Sequence, residues 1–212
     1  MTTKKKLEVF FDKENEKLKL IEKYEENIIF FNDLLKKGHK EDIEFVIPIK
    51  IHKYAESLIS EGYYTKAFTI LEEVERDLQK IRGQSKWYKM YLELTIFLQG
   101  VCLGRLKKYK ESNKYFKQLI KQKSINDKPA NDRYIAWYKS NKKDQIDVIF
   151  NPIVYISLSI GLIGFILNIA NISNFRVPVV IVVIVWTTIL FAFLAPYVWK
   201  KIIDKQKIEI EC

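Results

Sequence analysis

Histidine, cysteine, proline and glycine are all scarce in this chain, at two, two, five and seven of 212 residues. His39 and His52 have no cysteine near them and form no His-x-x-x-His or Cys-x-x-Cys spacing, so no metal site is expected. Adjacent carboxylates such as Glu25–Glu26 and Glu72–Glu73 splay around a helix and do not converge. Glycine-rich phosphate loops, dinucleotide fingerprints and nucleophile elbows are missing, and neither histidine follows an arginine, as one helical nuclease pattern requires. The inventory points to a non-enzyme without cofactors. Cys102 and Cys212, far apart in a lysine-rich chain, read as free thiols of a reducing compartment. The opening "MTTKKKLEVFFDKENEK" returns to charge too soon for a signal peptide.

Charge of either sign is absent from two stretches near the C-terminal end. "IVYISLSIGLIGFILNIA" (153–170) runs 18 residues and "VPVVIVVIVWTTILFAFLAPYVW" (177–199) runs 23. Roughly 20 apolar residues suffice to cross a bilayer as a helix, so two transmembrane helices are expected, joined by the short "NISNFR" into an antiparallel hairpin. Lys139, Lys142 and Lys143 precede the first and Lys200, Lys201, Lys205 and Lys207 follow the second, against Arg176 alone in the connection. The positive-inside rule then puts both termini in the cytoplasm, at the inner membrane if the source is bacterial. Phe150, Tyr155, Tyr197 and Trp199 fall where an inner-leaflet aromatic belt would lie, and Trp186 is expected to fill a helix contact. Small residues form a row on each helix, Ser157, Gly161, Gly164 and Asn168 on the first, Thr188, Ala192 and Ala195 on the second, spacings that let backbones approach closely within lipid. Neither run contains an ionisable group, which excludes carriers and proton relays and leaves only a pore lined by hydroxyls and amides.

Acidic residues thin out in a third place. Residues 1–104 carry 18 basic and 18 acidic side chains and 144–212 carry five of each, whereas 105–143 carries 13 basic and three acidic. The whole net charge of +10 therefore sits in one block before the apolar runs. Within it, Arg133, Trp137, Tyr138, Lys139, Lys142 and Lys143, joined by Lys200 and Lys201 after the second run, suit contact with an anionic membrane surface. Nucleic acid is not the expected partner, because no binding module accompanies the lysines.

What the remainder has is helical periodicity, without sustained strand-like alternation. Helices are expected over about 14–37, 43–61, 65–82, 86–107, 110–123 and 130–147; the first should bury Leu18, Ile21, Tyr24, Ile28, Phe31 and Leu35 and stop at Gly38, and Pro48 should kink or open the second. An internal copy is visible. "AESLISEGYYTKAFTIL" (55–71) aligns without a gap on "GVCLGRLKKYKESNKYF" (100–116): Ala55 with Gly100, Leu58 with Leu103, Tyr64 with Tyr109, Ala67 with Ser112 and Leu71 with Phe116.

A small residue in one helix, an aromatic at the turn, and a small then a large apolar residue in the next helix form a pattern that resembles the tetratricopeptide repeat. The resemblance covers about 41–124. It departs from the family in Ile51 and Ile96 at the early aromatic position, in Ser124 at the closing proline, and in a period of 45 residues where the family has about 34. It implies stacked helical hairpins that bind protein. The expected organisation is an all-α protein: an N-terminal helical segment (1–40), a tetratricopeptide-like domain (41–147) with the basic block (105–143), two membrane helices (148–200) and a cytoplasmic tail (201–212). The expected role is a non-catalytic scaffold or protein-binding module at the cytoplasmic face of a bacterial-type membrane, with anionic inner-leaflet lipid and an unidentified protein as partners. The competing expectation is an oligomeric effector that permeabilises the bilayer, similar to small two-helix proteins of bacterial defence systems.

Overall fold

The computed structural model describes residues 2–122, 128–169 and 179–205, without the side chains of Lys128, Val154, Ser157, 164–169, 179–185 and Ala192. Among these residues every regular element is helical. The chain divides into two compact units, Met1–Tyr138 and Lys139–Glu211. This division falls ahead of the boundary expected at 148. The expected connection, NISNFR at 171–176 with Arg176, and the tail beyond Lys205 lie outside the described residues.

The first unit begins with α1 (Thr3–Lys13), which sequence periodicity did not reveal, followed by α2 (Lys17–Glu26) and α3 (Ile28–Lys37) in place of one expected helix. Asn27 breaks the run with φ −110° and ψ 12°, and its side-chain amide donates to the Lys23 carbonyl at 3.0 Å, satisfying a helix end that would otherwise be open. The break resets the helical phase, so Leu20, Ile21 and Tyr24 are buried before it and Phe31, Leu34 and Leu35 after it, while Leu18 and Ile28 are exposed. Gly38 ends α3 at φ 71°, in the left-handed region that glycine enters without cost.

Three helical segments then follow one another without leaving right-handed geometry: α4 (Lys40–Pro48), a π-helical stretch (Ile49–Ala55) and α5 (Glu56–Ser60). Proline has no N–H to give the preceding turn and crowds it; the helix widens directly after Pro48, and the Glu56 amide still donates five residues back to Ile51. The widened turn buries Ile49, Lys50 and Ile51 consecutively, a run that ordinary helical spacing does not produce.

Antiparallel helices complete the unit. In α6 (Tyr64–Gln79), Ala67, Ile70, Leu71, Val74 and Leu78 are buried at helical spacing. The next helix, α7 (Tyr88–Arg105), buries ten consecutive residues, Thr95 to Gly104, because α6 packs on one side and α8 (Tyr109–Lys121) on the other. Two aromatic clusters stand in the core. Tyr24 stacks on Phe31 and Tyr54 with ring centres 4.8 and 4.1 Å apart, and Phe97 and Phe116 meet Trp137 at 6.3 and 6.1 Å.

The last two helices are α9 (Lys128–Ile169) and α10 (Val179–Lys205). Sequence analysis expected separate helices over 130–147 and 153–170; one helix covers both, with Pro152 inside it. Within the second unit, Lys143 pairs with Asp204 and Lys200 with Asp147, each at 2.6 Å, and the Lys139 ammonium donates to the Asp204 carbonyl at 2.9 Å. Since 143 meets 204 and 147 meets 200, the two helices run antiparallel at this end.

Candidate interaction surfaces

The residues aligned 45 apart in sequence make the same turn. Gly62 and Lys107 both adopt the left-handed conformation, at φ 83° and 62°. The Tyr63 amide donates to Leu58 at 2.8 Å, as Lys108 does to Leu103 at 2.9 Å; Gly62 donates to Ile59 at 3.2 Å, as Lys107 does to Gly104 at 3.0 Å. This is the Schellman closure, in which a left-handed residue lets two orphan helix carbonyls find donors. Ala55, Leu58, Ala67 and Leu71 are buried in the first hairpin, and Gly100, Leu103, Ser112 and Phe116 at the matching places in the second; Tyr64 and Tyr109 are half-buried in both. A methyl group at Gly100 would stand 3.0 Å from the Phe116 ring, so that crossing has no room to spare. The Ser112 hydroxyl donates to the Gly100 carbonyl at 2.6 Å.

The two hairpins differ in polarity. Lys50, only 2% exposed, has its ammonium 2.7 Å from Glu73 and 3.9 Å from Asp77, and Asp77 also receives Lys80 at 2.6 Å. The matching residues 45 further on are Thr95, Gln118 and Gln122, and the buried Thr95 hydroxyl is satisfied by the Tyr91 carbonyl at 2.7 Å. Lys50 lines a cleft of about 230 Å³ together with Asn32, Lys36, Glu73, Arg76 and Lys80. Sequence reasoning missed this ion cluster because Lys50 lies on the π-helical stretch, where the period changes.

Glu25 accepts from both Lys66 at 2.6 Å and the Tyr54 hydroxyl at 3.0 Å, and the Lys66 hydrogen bond holds its carboxyl below the usual range. Burial, aided by that bond to Glu25, pushes the Tyr54 hydroxyl up to about 12; burial raises Tyr24 as well. A second cleft, of about 310 Å³, lies where α1 meets α4 and the π-helical stretch, with Glu8, Asp12 and Glu44 around Phe11 and Phe45. The Phe45 ring already carries the Lys4 ammonium 4.7 Å from its centre, and His52 and Lys53 also line the cleft. Among the described residues no group of three or more histidine, cysteine or carboxylate side chains is placed to hold a metal ion.

The residues expected at a lipid surface include some packed on protein and some exposed, Arg133 and Lys201 among the latter. Trp137 is half-buried against Phe97 and Phe116, and Tyr134 is buried, donating to Glu93 at 2.6 Å. The start of α9 thus turns its aromatic side toward protein, leaving Arg133 exposed over the Phe97 ring at 4.8 Å. Tyr138 is half-buried, with the Lys117 ammonium over its ring at 5.9 Å. Lys139, Lys143 and Lys200 face Asp204 and Asp147, as described; Lys142 is half-buried, and Lys201 lies over the Tyr197 ring at 6.0 Å.

In the second unit one helix among the described residues is long and apolar enough to cross a membrane, and none of its most apolar stretch is buried. Ile153, Tyr155, Ile156, Leu158, Ile160, Leu162 and Ile163 are all exposed on α9, as are Leu190, Phe191, Phe193, Leu194, Tyr197, Val198 and Trp199 on α10. Trp186, expected to fill a helix contact, is 65% exposed among the described residues. Of the small-residue rows, Gly161 is half-buried, Thr188 exposed and Ala195 buried, while the side chains of Ser157, Asn168 and Ala192, and the surroundings of Gly164, lie outside the described residues. No family model, curated protein or solved structure matches the chain.

Proposed function

We propose that the chain is a membrane-anchored, non-catalytic binding module: a duplicated helical domain of tetratricopeptide-like character held at the inner face of a bacterial-type membrane by a two-helix hairpin. The observation that carries this reading is the apolar stretch of α9, long enough to cross a bilayer and unburied among the described residues. Soluble proteins rarely leave so large a contiguous apolar surface in water. The antiparallel course of α9 and α10 at their charged ends supports a hairpin with both flanks on one side, and the basic flanks favour the cytoplasmic side. Duplicated hairpins with a shared turn support the repeat-like reading, and the cleft by Phe45 gives a protein partner a place to insert a side chain.

The test is extraction of the full chain from membranes with alkaline carbonate, alongside dye-loaded vesicles. The anchored-module reading expects the chain to stay with the lipid and the vesicles to remain sealed. Release by carbonate would overturn the anchoring, and leakage abolished by Gly161→Leu with Gly164→Leu would transfer the protein to the oligomeric effector class.

A further inference from the structure

The duplicated hairpin contains its own control for which surface residues the fold requires. On the outer side of α8, Lys110, Lys114, Lys117 and Lys121 are all exposed, and their spacing places them within about 60° of one another around the axis, along about 16 Å of helix. The matching residues of α6 are Thr65, Thr69, Glu72 and Arg76. The same backbone therefore forms without lysine there. The turn leading into α8 makes the point again: Gly62 fills the left-handed position in the first hairpin, whereas the second places Lys107 there at φ 62°, in a conformation that disfavours side chains. The helix-end hydrogen bonds hold both residues in this conformation, so the lysine is there without being needed for the turn.

From this contrast we infer that the lysine face of α8, headed by Lys107 and Lys108, docks on anionic lipid headgroups. The apolar side of α8 is already spent, with Phe116, Leu119 and Ile120 buried in the core, so the helix cannot insert and offers the surface charge alone. A protein interface of ordinary affinity needs an apolar centre, and the side chains among these lysines are Glu111 and Gln118. A face that reads single-stranded nucleic acid stacks bases on exposed aromatic rings, whereas Tyr115 contacts Phe68 and Trp137 is packed on Phe116. Headgroups ask only for clustered positive charge. The inference rests on the anchoring proposed above, since a chain held at a bilayer keeps its first unit near lipid at high effective concentration.

The experiment uses the full chain in vesicles of zwitterionic lipid and in vesicles with one third anionic lipid. A fluorophore is attached at Gln118→Cys, with Cys212→Ser; Cys102 is left in place, because it is buried and burial pushes its thiol up to about 12. Quenching by headgroup-labelled lipid reports docking. Each lysine should contribute about fivefold to the docking equilibrium. Quenching is expected only with anionic lipid. It should fall as salt shortens the Debye length from about 10 Å to about 3 Å, disappear when Lys110, Lys114, Lys117 and Lys121 all become Gln, and survive when they all become Arg. Equal quenching in both lipids, quenching unaffected by salt, or equal loss in the Gln and Arg variants would overturn the inference. Binding of a short RNA or DNA duplex without lipid quenching would overturn it in favour of nucleic acid. If carbonate releases the chain while charge-dependent quenching persists, the anchoring fails and this inference stands; if the chain stays but no quenching occurs, the reverse holds.

Discussion

The two hairpins at 49–79 and 88–121 share a turn hydrogen bond for hydrogen bond, and they share little of their surface. Positions that pack, such as Leu71 and Phe116, are buried completely in both. Elsewhere the copies diverge: a buried lysine faces two carboxylates in the first, a threonine and two glutamines take those places in the second, and the outer face changes from mixed to wholly basic. The contrast teaches that the fold is specified by small and large apolar residues at the crossings, together with one left-handed residue at each turn. Charge is free to vary around that frame and so carries information about function.

The comparison is broken most strongly through the shared core. Leu71→Ala and Phe116→Ala should each cost about 3–4 kcal/mol, measured by chemical unfolding of the full chain in detergent; a loss below about 1 kcal/mol at either position would mean that the hairpins are not packed alike. The ion cluster belongs to the first hairpin alone. Glu73→Gln with Asp77→Asn leaves the Lys50 ammonium buried without a counter-charge and should cost about 3 kcal/mol, whereas Gln118→Ala with Gln122→Ala should stay within about 0.5 kcal/mol.

Alkaline pH sharpens the contrast further. Tyr54, whose counterpart is Gln99, has its hydroxyl raised to about 12 and Tyr24 is raised too. The folded state keeps these protons longer than the unfolded state, so their stabilisation is complete below the ordinary tyrosine value near 10 and is lost as pH rises through the folded value. Unfolding measured at about pH 11 should show a deficit near 1 kcal/mol per group relative to pH 8. Tyr54→Phe should reduce that deficit; an unchanged one would contradict the assignment. The smallest effect lies at the turns. Lys107→Gly relieves left-handed strain but frees the unfolded chain, for a net gain of about 0.5 kcal/mol, while Gly62→Ala should lose about 1 kcal/mol.

Much of the frame was legible because packing leaves a periodic trace. The alignment of 55–71 with 100–116 anticipated both turns, and Gly38 marked a helix end. What was not legible depended on local departures from that period. The break at Asn27 shifted the buried face and left Ile28 exposed, while Leu18 lies off the buried side of α2. Pro48 and the widened turn after it turned Lys50 inward, and no pattern based on ordinary helical spacing places a lysine in a core. Trp137 carried an ambiguous signal, since an amphipathic aromatic segment suits a lipid interface or a protein groove equally, and it is half-buried against Phe97 and Phe116. The basic block was visible at once. Which of its lysines form a continuous face became clear only when α8 and the start of α9 were seen to be used differently.

The measurement that bears most directly on the account is the topology of the apolar unit in intact cells. With Cys212→Ser, a cysteine placed at Asn174, between the two apolar stretches, should react with a membrane-impermeant maleimide added from outside; in the unaltered chain, Cys212 should react only after the membrane is opened. Labelling of Cys212 from outside, or protection of the cysteine at 174 until permeabilisation, would contradict a hairpin that crosses the membrane twice with both flanks inside.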